Sequence, residues 1–309
     1  MRAAKTRSSL ISLAAAMLIG YFFTTDVARA ITGGELDNDR HPAAGALFLL
    51  FEPGVFSLPD PGVPPDILPI CSGSLIAADG DRGLFLTAGH CVLELGFALQ
   101  ALGPLGPTAV VSFSGDLHAD LGVTIPVDLS ALYFQLGIPG PPISIGALPD
   151  FDDIGLLVLD ADSTANLPEP LALPQPGFLD SLHPNELRHS EYRTIGFGDD
   201  VTDGTPHTRV FTFGTRKIGF PRIVNMDDKY LLGQQIEASG SSGDYFGDSG
   251  GPTFWIDPVT GEEMLVAINN HPLGAVGVPP FVAHHAQYYR IDTAPAQAFI
   301  EEVLQAEGF

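Results

Sequence analysis

The chain has 309 residues, with 14 basic and 37 acidic side chains and a net charge of −23. A surface so negative repels nucleic-acid phosphates and anionic lipid headgroups, which excludes both as partners. After the first 30 residues nothing approaches the ~18 uninterrupted apolar residues that a membrane helix requires.

In chain order, Arg2, Lys5 and Arg7 precede an apolar run from Leu10 to Phe23, and Ala28-Arg29-Ala30 follows a short polar stretch. That order predicts a secretory signal peptide over 1–30, cut after a small-x-small pattern, with an apolar run too short to serve as a span. The remaining 279 residues carry 10 basic and 36 acidic side chains, net −26. They are numerous enough to bury a large core as one two-part body. A soluble monomer, secreted or periplasmic and free of the membrane once the signal is cut, is the expectation.

Short apolar or alternating runs bounded by Gly, Pro, Asp and Asn predict strands over 46–51, 72–77, 83–87, 108–113 and 154–159. The pattern resumes over 192–197, 210–213, 230–236, 253–256 and 264–269. Two Pro-rich stretches, 53–69 and 103–149, read as loops, apart from the strand inside the second. Four prolines between Leu167 and Pro176 divide the chain into halves, 31–170 and 171–309. One helix is predicted, at the end: Ala296, Phe299, Ile300, Val303 and Leu304 follow 3.6-residue spacing. Asp292 or Thr293 is its cap, Pro295 lies in its first turn and Gly308 stops it. Many short strands and one final helix indicate an all-β sandwich or barrel.

Cys71 and Cys91 are the only cysteines, and in an exported chain they should pair. A disulfide closing this loop would stabilise the fold by about 3 kcal/mol and anchor the segment that carries His90. A zinc site using His90 would need a second ligand pair, and none is present. Asp79-Gly80-Asp81 and Asp199-Asp200 read as solvated turns, without the 12-residue spacing of an EF-hand calcium loop. Neither metal nor cofactor is called for.

Gly247-Asp248-Ser249-Gly250-Gly251-Pro252 sets a serine among glycines, which let backbone N–H groups approach a reacting carbonyl. A serine hydroxyl is a poor nucleophile at neutral pH, so it needs a histidine base and a carboxylate to orient that base. His90 ends the strand-like 83–89 segment beside a cysteine, a rigid setting that the other eight histidines lack. The carboxylate should open a hydrophobic strand, as Asp153 does in Asp153-Ile154-Gly155-Leu156-Leu157; Asp152 and Asp160 flank the same strand and remain open. The Gly-x-Ser-x-Gly spacing also fits the nucleophile elbow of α/β-hydrolases. That elbow needs a helix after the serine, which Gly250-Gly251-Pro252 breaks.

Taken together and in this order, Thr87-Ala88-Gly89-His90-Cys91, Asp153-Ile154-Gly155-Leu156-Leu157 and Gly247-Asp248-Ser249-Gly250-Gly251-Pro252 resemble the trypsin-like (chymotrypsin-fold) serine endopeptidases. Ile31-Thr32-Gly33-Gly34, Gly196-Phe197-Gly198 and Tyr289-Arg290-Ile291 extend the resemblance over nearly the whole mature chain. It implies two antiparallel six-stranded β-barrels with the active site between them and a C-terminal helix. It also implies a protein or peptide substrate and catalysis by His90, Asp153 and Ser249, with the N–H groups of Gly247 and Ser249 as oxyanion hole. Asp248 would pair with the α-amino group of Ile31, which signal cleavage after Ala30 would itself expose. The position that floors the specificity pocket is Gly243. A glycine floor suggests uncharged side chains before the cut bond, whereas Asp244 would receive Lys or Arg if the loop shifts by one residue. That loop lacks the family's usual cysteine, which is Tyr245 here. A protease-like protein kept for binding, without catalysis, is the alternative.

Overall fold

The computed structural model describes residues 31, 34–58, 62–137, 152–160, 167–198, 213–236, 239–273 and 285–309, with backbone alone for 271–273. The signal peptide expected over 1–30, Thr32-Gly33, Asp199-Asp200 and most of the strand expected over 210–213 lie outside these residues.

Six strands close an antiparallel barrel in the order β2-β3-β4-β7-β6-β5. They are β2 (Ala44–Leu50), β3 (Ile67–Asp79), β4 (Arg82–Thr87), β5 (Thr108–Ser112), β6 (Thr124–Leu136) and β7 (Asp153–Asp160). Closure leaves no unpaired strand edge. β7 is buried along both faces from Asp153 to Leu159, its apolar run being covered by the barrel interior on one side and by helix α1 (Gly89–Leu102) on the other. Burying both faces is what a strand lacking polar alternation requires.

The second antiparallel sheet has eight strands among the described residues, in the order β1-β9-β8-β12-β13-β14-β11-β10. These are β1 (Glu35–Leu36), β8 (Tyr192–Gly196), β9 (Lys217–Gly219), β10 (Arg222–Met226), β11 (Tyr230–Gln234), β12 (Pro252–Ile256), β13 (Glu263–Leu273) and β14 (His285–Arg290). Two short helices, α2 (Phe178–Ser181) and α3 (Pro184–His189), precede β8. The terminal helix α4 (Ala294–Glu307) forms as its sequence signals require. Thr293 accepts the Ala296 N–H at 3.3 Å, and Gly308 ends the helix with φ +77°. The barrel, the second sheet and the terminal helix together match the expected all-β architecture.

Two elements depart from the sequence expectations, one in a stretch read as loop and one a helix that was not predicted. β6 runs through the Pro-rich stretch, because its alternation is broken by a bulge between Val127 and Leu132 and Pro126 sits at an exposed position. Helix α1 follows His90 directly. Its buried residues Cys91, Val92, Leu95, Ala98 and Leu102 keep helical spacing, but apolar residues between them hide that period.

Buried charges join the first strands to both sheets. Arg216 donates to Asp37 at 2.8 Å and to the carbonyls of Ala44 and Phe113 at 3.2 and 3.0 Å. The His41 ring bonds Asp37 through Nδ1 and Glu263, on β13, through Nε2 at 2.8 Å. Glu263 in turn accepts from Arg193, on β8, at 2.5 Å. Burial works against the charged form of His41, but the bonds to Asp37 and Glu263 prevail and raise its pKa. Asp37 resists its own burial through the same contacts and falls to about 2. The His41 contribution is therefore complete below its ordinary 6.5 and fades as pH climbs through the raised value. That of Asp37 is complete above 3.8 and is lost as pH falls towards about 2. His41→Ala should cost about 2 kcal/mol at pH 5, since it removes a cation bonded to two carboxylates that keep only Arg216 and Arg193, and less at pH 9. Chemical denaturation of both proteins at the two pH values measures this.

Candidate active site

His90 is the second residue of α1, and the Cys71–Cys91 disulfide ties that turn to β3 with Cα atoms 6.0 Å apart. The pairing matches the expectation and leaves neither sulfur available as a zinc ligand. Asp153, at the start of β7, is turned toward His90 and is buried. Its Oδ1 accepts the His90 backbone N–H at 2.8 Å and its Oδ2 accepts from ring Nδ1, also at 2.8 Å. This double bond to one residue sets both the place and the tautomer of the ring, leaving Nε2 as the basic nitrogen. Asp152 and Asp160, the neighbours left open by the sequence, go elsewhere. Asp152 accepts from Tyr289 at 3.1 Å, and Asp160 is exposed at the far end of β7.

A third donor comes from the second sheet. Asn270 on β13 gives its side-chain N–H to Asp153 Oδ2 at 2.5 Å, and its carbonyl accepts from Ser249 Oγ at 3.3 Å. One residue thus bonds the buried carboxylate and the serine hydroxyl, which brings Asp153 and Ser249 to the same point between the sheets. Sequence reading stopped at Asn269 and missed it.

Burial pushes the His90 imidazole toward neutrality, but the Asp153 charge and hydrogen bond outweigh it, with help from Glu94, and its pKa rises to about 9. The ring keeps 26 % of its side-chain surface exposed, so water tempers the shift. Asp153 moves the other way, below its ordinary value, because His90 and the N–H donors prevail over burial. Glu94, one helical turn past His90, is half-buried. Desolvation and the Asp153 charge raise its pKa against the pull of His90. It escaped notice because α1 was not predicted.

Ser249 lies in a loop held from both sides. Ser72 of β3 donates its backbone N–H to the Ser249 carbonyl at 2.9 Å, and its hydroxyl donates to the Gly247 carbonyl at 2.8 Å. The same hydroxyl accepts the Phe197 N–H at 3.0 Å, so a single barrel residue pins the segments after β8 and before β12. Gly247 has φ +90°, a conformation that strains any residue with a side chain. Among the described residues, the N–H groups of Gly247 and Ser249 meet no acceptor.

Asp248 points away from Ser249 and is 0 % exposed. It accepts N–H groups from Gly198 at 2.7 Å and Tyr245 at 2.8 Å, and that of Ile31 also bears on it. Burial still dominates and raises its pKa to about 7. The Gly196-Phe197-Gly198 pattern follows from this carboxyl, since a Cβ on either glycine would strike Asp248. Ile31 is 1 % exposed against Gly34 and Gly219.

No protein-family model and no curated protein sequence matches this chain. Among solved structures it is similar to HL collagenase, at 16 % identity and a TM-score of 0.52, over 90 % of this chain and 99 % of the other. The chain has the trypsin-like fold. In this trypsin-like body Asp153 binds donors from α1 and from β13, and its charge decides how His90 titrates. Asp153→Asn removes that charge while keeping the shape, so burial should win and the imidazole should titrate below 6.5 instead of near 9. Ring resonances followed by NMR across pH report the reversal.

Proposed function

We propose that this chain is an exported serine endopeptidase that cuts peptide bonds through an acyl-enzyme on Ser249. Its working body would comprise two halves, 31–170 and 171–309. The observation that carries the reading is the Asp153 carboxylate, which holds His90 in place and shares Asn270 with the Ser249 hydroxyl.

Ser249 Oγ turns from the Asn270 carbonyl toward His90 Nε2, gives up its proton and attacks the substrate carbonyl. Asp153 stabilises the imidazolium so formed. The N–H groups of Gly247 and Ser249 take the developing oxyanion. They are already oriented by the positive φ of Gly247 and by the Ser72 bond to its carbonyl, so little reorganisation is needed. The leaving amine takes the proton from His90. Water then attacks the acyl group, His90 accepts its proton, and Ser249 is restored. With an imidazole pKa near 9, the neutral base is scarce at pH 7, and kcat/KM should climb with pH toward 9. Ser249→Ala should lower kcat by roughly 10⁴- to 10⁶-fold. A fluorophosphonate probe should label the wild type at Ser249. A folded wild type that takes no label and cuts no peptide would be the silent binding protein instead.

Export would complete the site. Asp248 is a buried carboxyl with three N–H neighbours, and burial holds its pKa near 7 despite them and the Lys217 charge. Signal cleavage after Ala30 would turn the Ile31 amide beside it into an ammonium group, and the pair would hold the loop that carries Gly247 and Ser249. Removing one partner of such a pair costs about 3–5 kcal/mol. N-terminal sequencing of the exported protein should therefore read Ile31 first, and any other start would sink this activation route.

A further inference from the structure

Ser72 is 1 % exposed on β3, and all of its polar groups are engaged around the site. Its N–H donates to the Ser249 carbonyl at 2.9 Å. Its hydroxyl donates to the Gly247 carbonyl at 2.8 Å and accepts the Phe197 N–H at 3.0 Å, so it works as donor and acceptor at once. Its carbonyl accepts the hydroxyl of Thr87, which precedes Ala88-Gly89-His90, at 2.8 Å. These segments meet so closely that a Cβ on Gly250 would strike both Thr87 and the Ser72 carbonyl. One barrel residue therefore holds the strand that leads to the base and the loop that carries the nucleophile.

The hydroxyl acts on the peptide between the two oxyanion donors. Those donors are the N–H groups of Gly247 and Ser249, which meet no acceptor among the described residues. The peptide joining Gly247 to Asp248 gives its N–H to the Tyr245 carbonyl at 3.0 Å, and its carbonyl is the one that Ser72 binds. The peptide after it is fixed without the hydroxyl, since the Asp248 carbonyl accepts from Gly251 at 2.9 Å and from Asn269 at 3.2 Å. Gly247, at φ +90°, is the pliable joint of this loop, because a glycine passes between backbone regions closed to other residues. Without the Ser72 bond a buried carbonyl would lack its donor, and turning its peptide about Gly247 to find another would spoil the common aim of the two oxyanion donors.

We propose that Ser72 is a positioning residue for the transition state: its hydroxyl locks the peptide between Gly247 and Asp248, keeps both oxyanion donors aimed at one point, and so sets kcat without contributing to substrate affinity. This rests on the peptidase reading above. The donors act on charge that develops only in the tetrahedral species, where losing one outright costs ~10²- to 10³-fold in kcat. Loosening both through one peptide should cost about 10- to 100-fold. The base is untouched, because Asp153 holds His90 without the Ser72 hydroxyl.

Kinetics and amide exchange on the purified protein test this, alongside fluorophosphonate labelling. With a chromogenic peptide amide, Ser72→Ala should lower kcat by about 10- to 100-fold, keep KM within about threefold and leave the midpoint of the pH rise in place. Ser72→Thr, which keeps the hydroxyl, should return kcat to within about threefold of the wild type. Hydrogen exchange over 246–251 should quicken at least about tenfold in Ser72→Ala, while the barrel strands exchange as before. If Ser72→Ala melts too early to assay, Ser72→Cys keeps the volume with only a weak donor and gives the same readings. A folded Ser72→Ala with kcat within about threefold of the wild type overturns the proposal. So does a loss that KM shares, that moves the pH midpoint or that Ser72→Thr does not repair. A folded wild type that takes no label overturns the peptidase instead; in that protein, quickened exchange in Ser72→Ala supports the lock and unchanged exchange overturns it.

Discussion

The site depends on one buried carboxylate. Asp153 is buried at the start of β7, on the face covered by α1 and opposite that of Ile154, Leu156 and Val158, and an unpaired charge there would cost several kcal/mol. Three N–H groups offset that cost, two from His90 and one from Asn270. Because the donors come from α1 and from β13, satisfying the carboxylate brings the barrel and the second sheet into register. The same bonds orient the imidazole and locate Ser249 through the Asn270 carbonyl. Stability and chemistry are therefore served by the same bonds, and His90 is basic because Asp153 is charged and bonded to it.

Two further acids, Asp244 and Asp248, are wholly buried within one short loop, and their surroundings separate them. Asp248 receives N–H groups from Gly198 and Tyr245 and lies against Ile31. Asp244 lies beside the Tyr288 hydroxyl, and burial with the Asp248 charge keeps its pKa raised. Charge on one raises the cost of charge on the other, so the loop accommodates two carboxyls only if each gains a cation or keeps a proton. On the proposed reading, Asp248 takes its cation from the chain terminus, while Asp244 keeps its proton. The acid-rich composition thus acquires local meaning at two positions, while most other acids remain on the surface.

Much of this was legible because the physics was local. The alternation of short apolar runs marked most strands. Thr293, Pro295 and Gly308 carried the boundaries of α4, since caps act over a single turn. The pairing of Cys71 with Cys91 followed from their being the only two cysteines in a chain expected to be exported. The order of the His90, Asp153 and Ser249 segments pointed to the trypsin-like architecture. By contrast, α1 was hidden by continuous apolarity, and β6 by Pro126 and a bulge, because neighbours rather than intrinsic preference decide those segments.

By itself the sequence determined the residue types, their order and the glycine turn around Ser249, because these depend on covalent neighbours and backbone freedom. Only the tertiary structure decided that Asn270, Ser72 and Glu94 belong to the site, and that Gln235 fills the space beside Gly243. Those contacts join residues between 4 and 175 positions apart. Long-range pairing of this kind has no local signature. It is selected when buried polar groups must find partners across two packed sheets, a condition that exists only once the chain has folded.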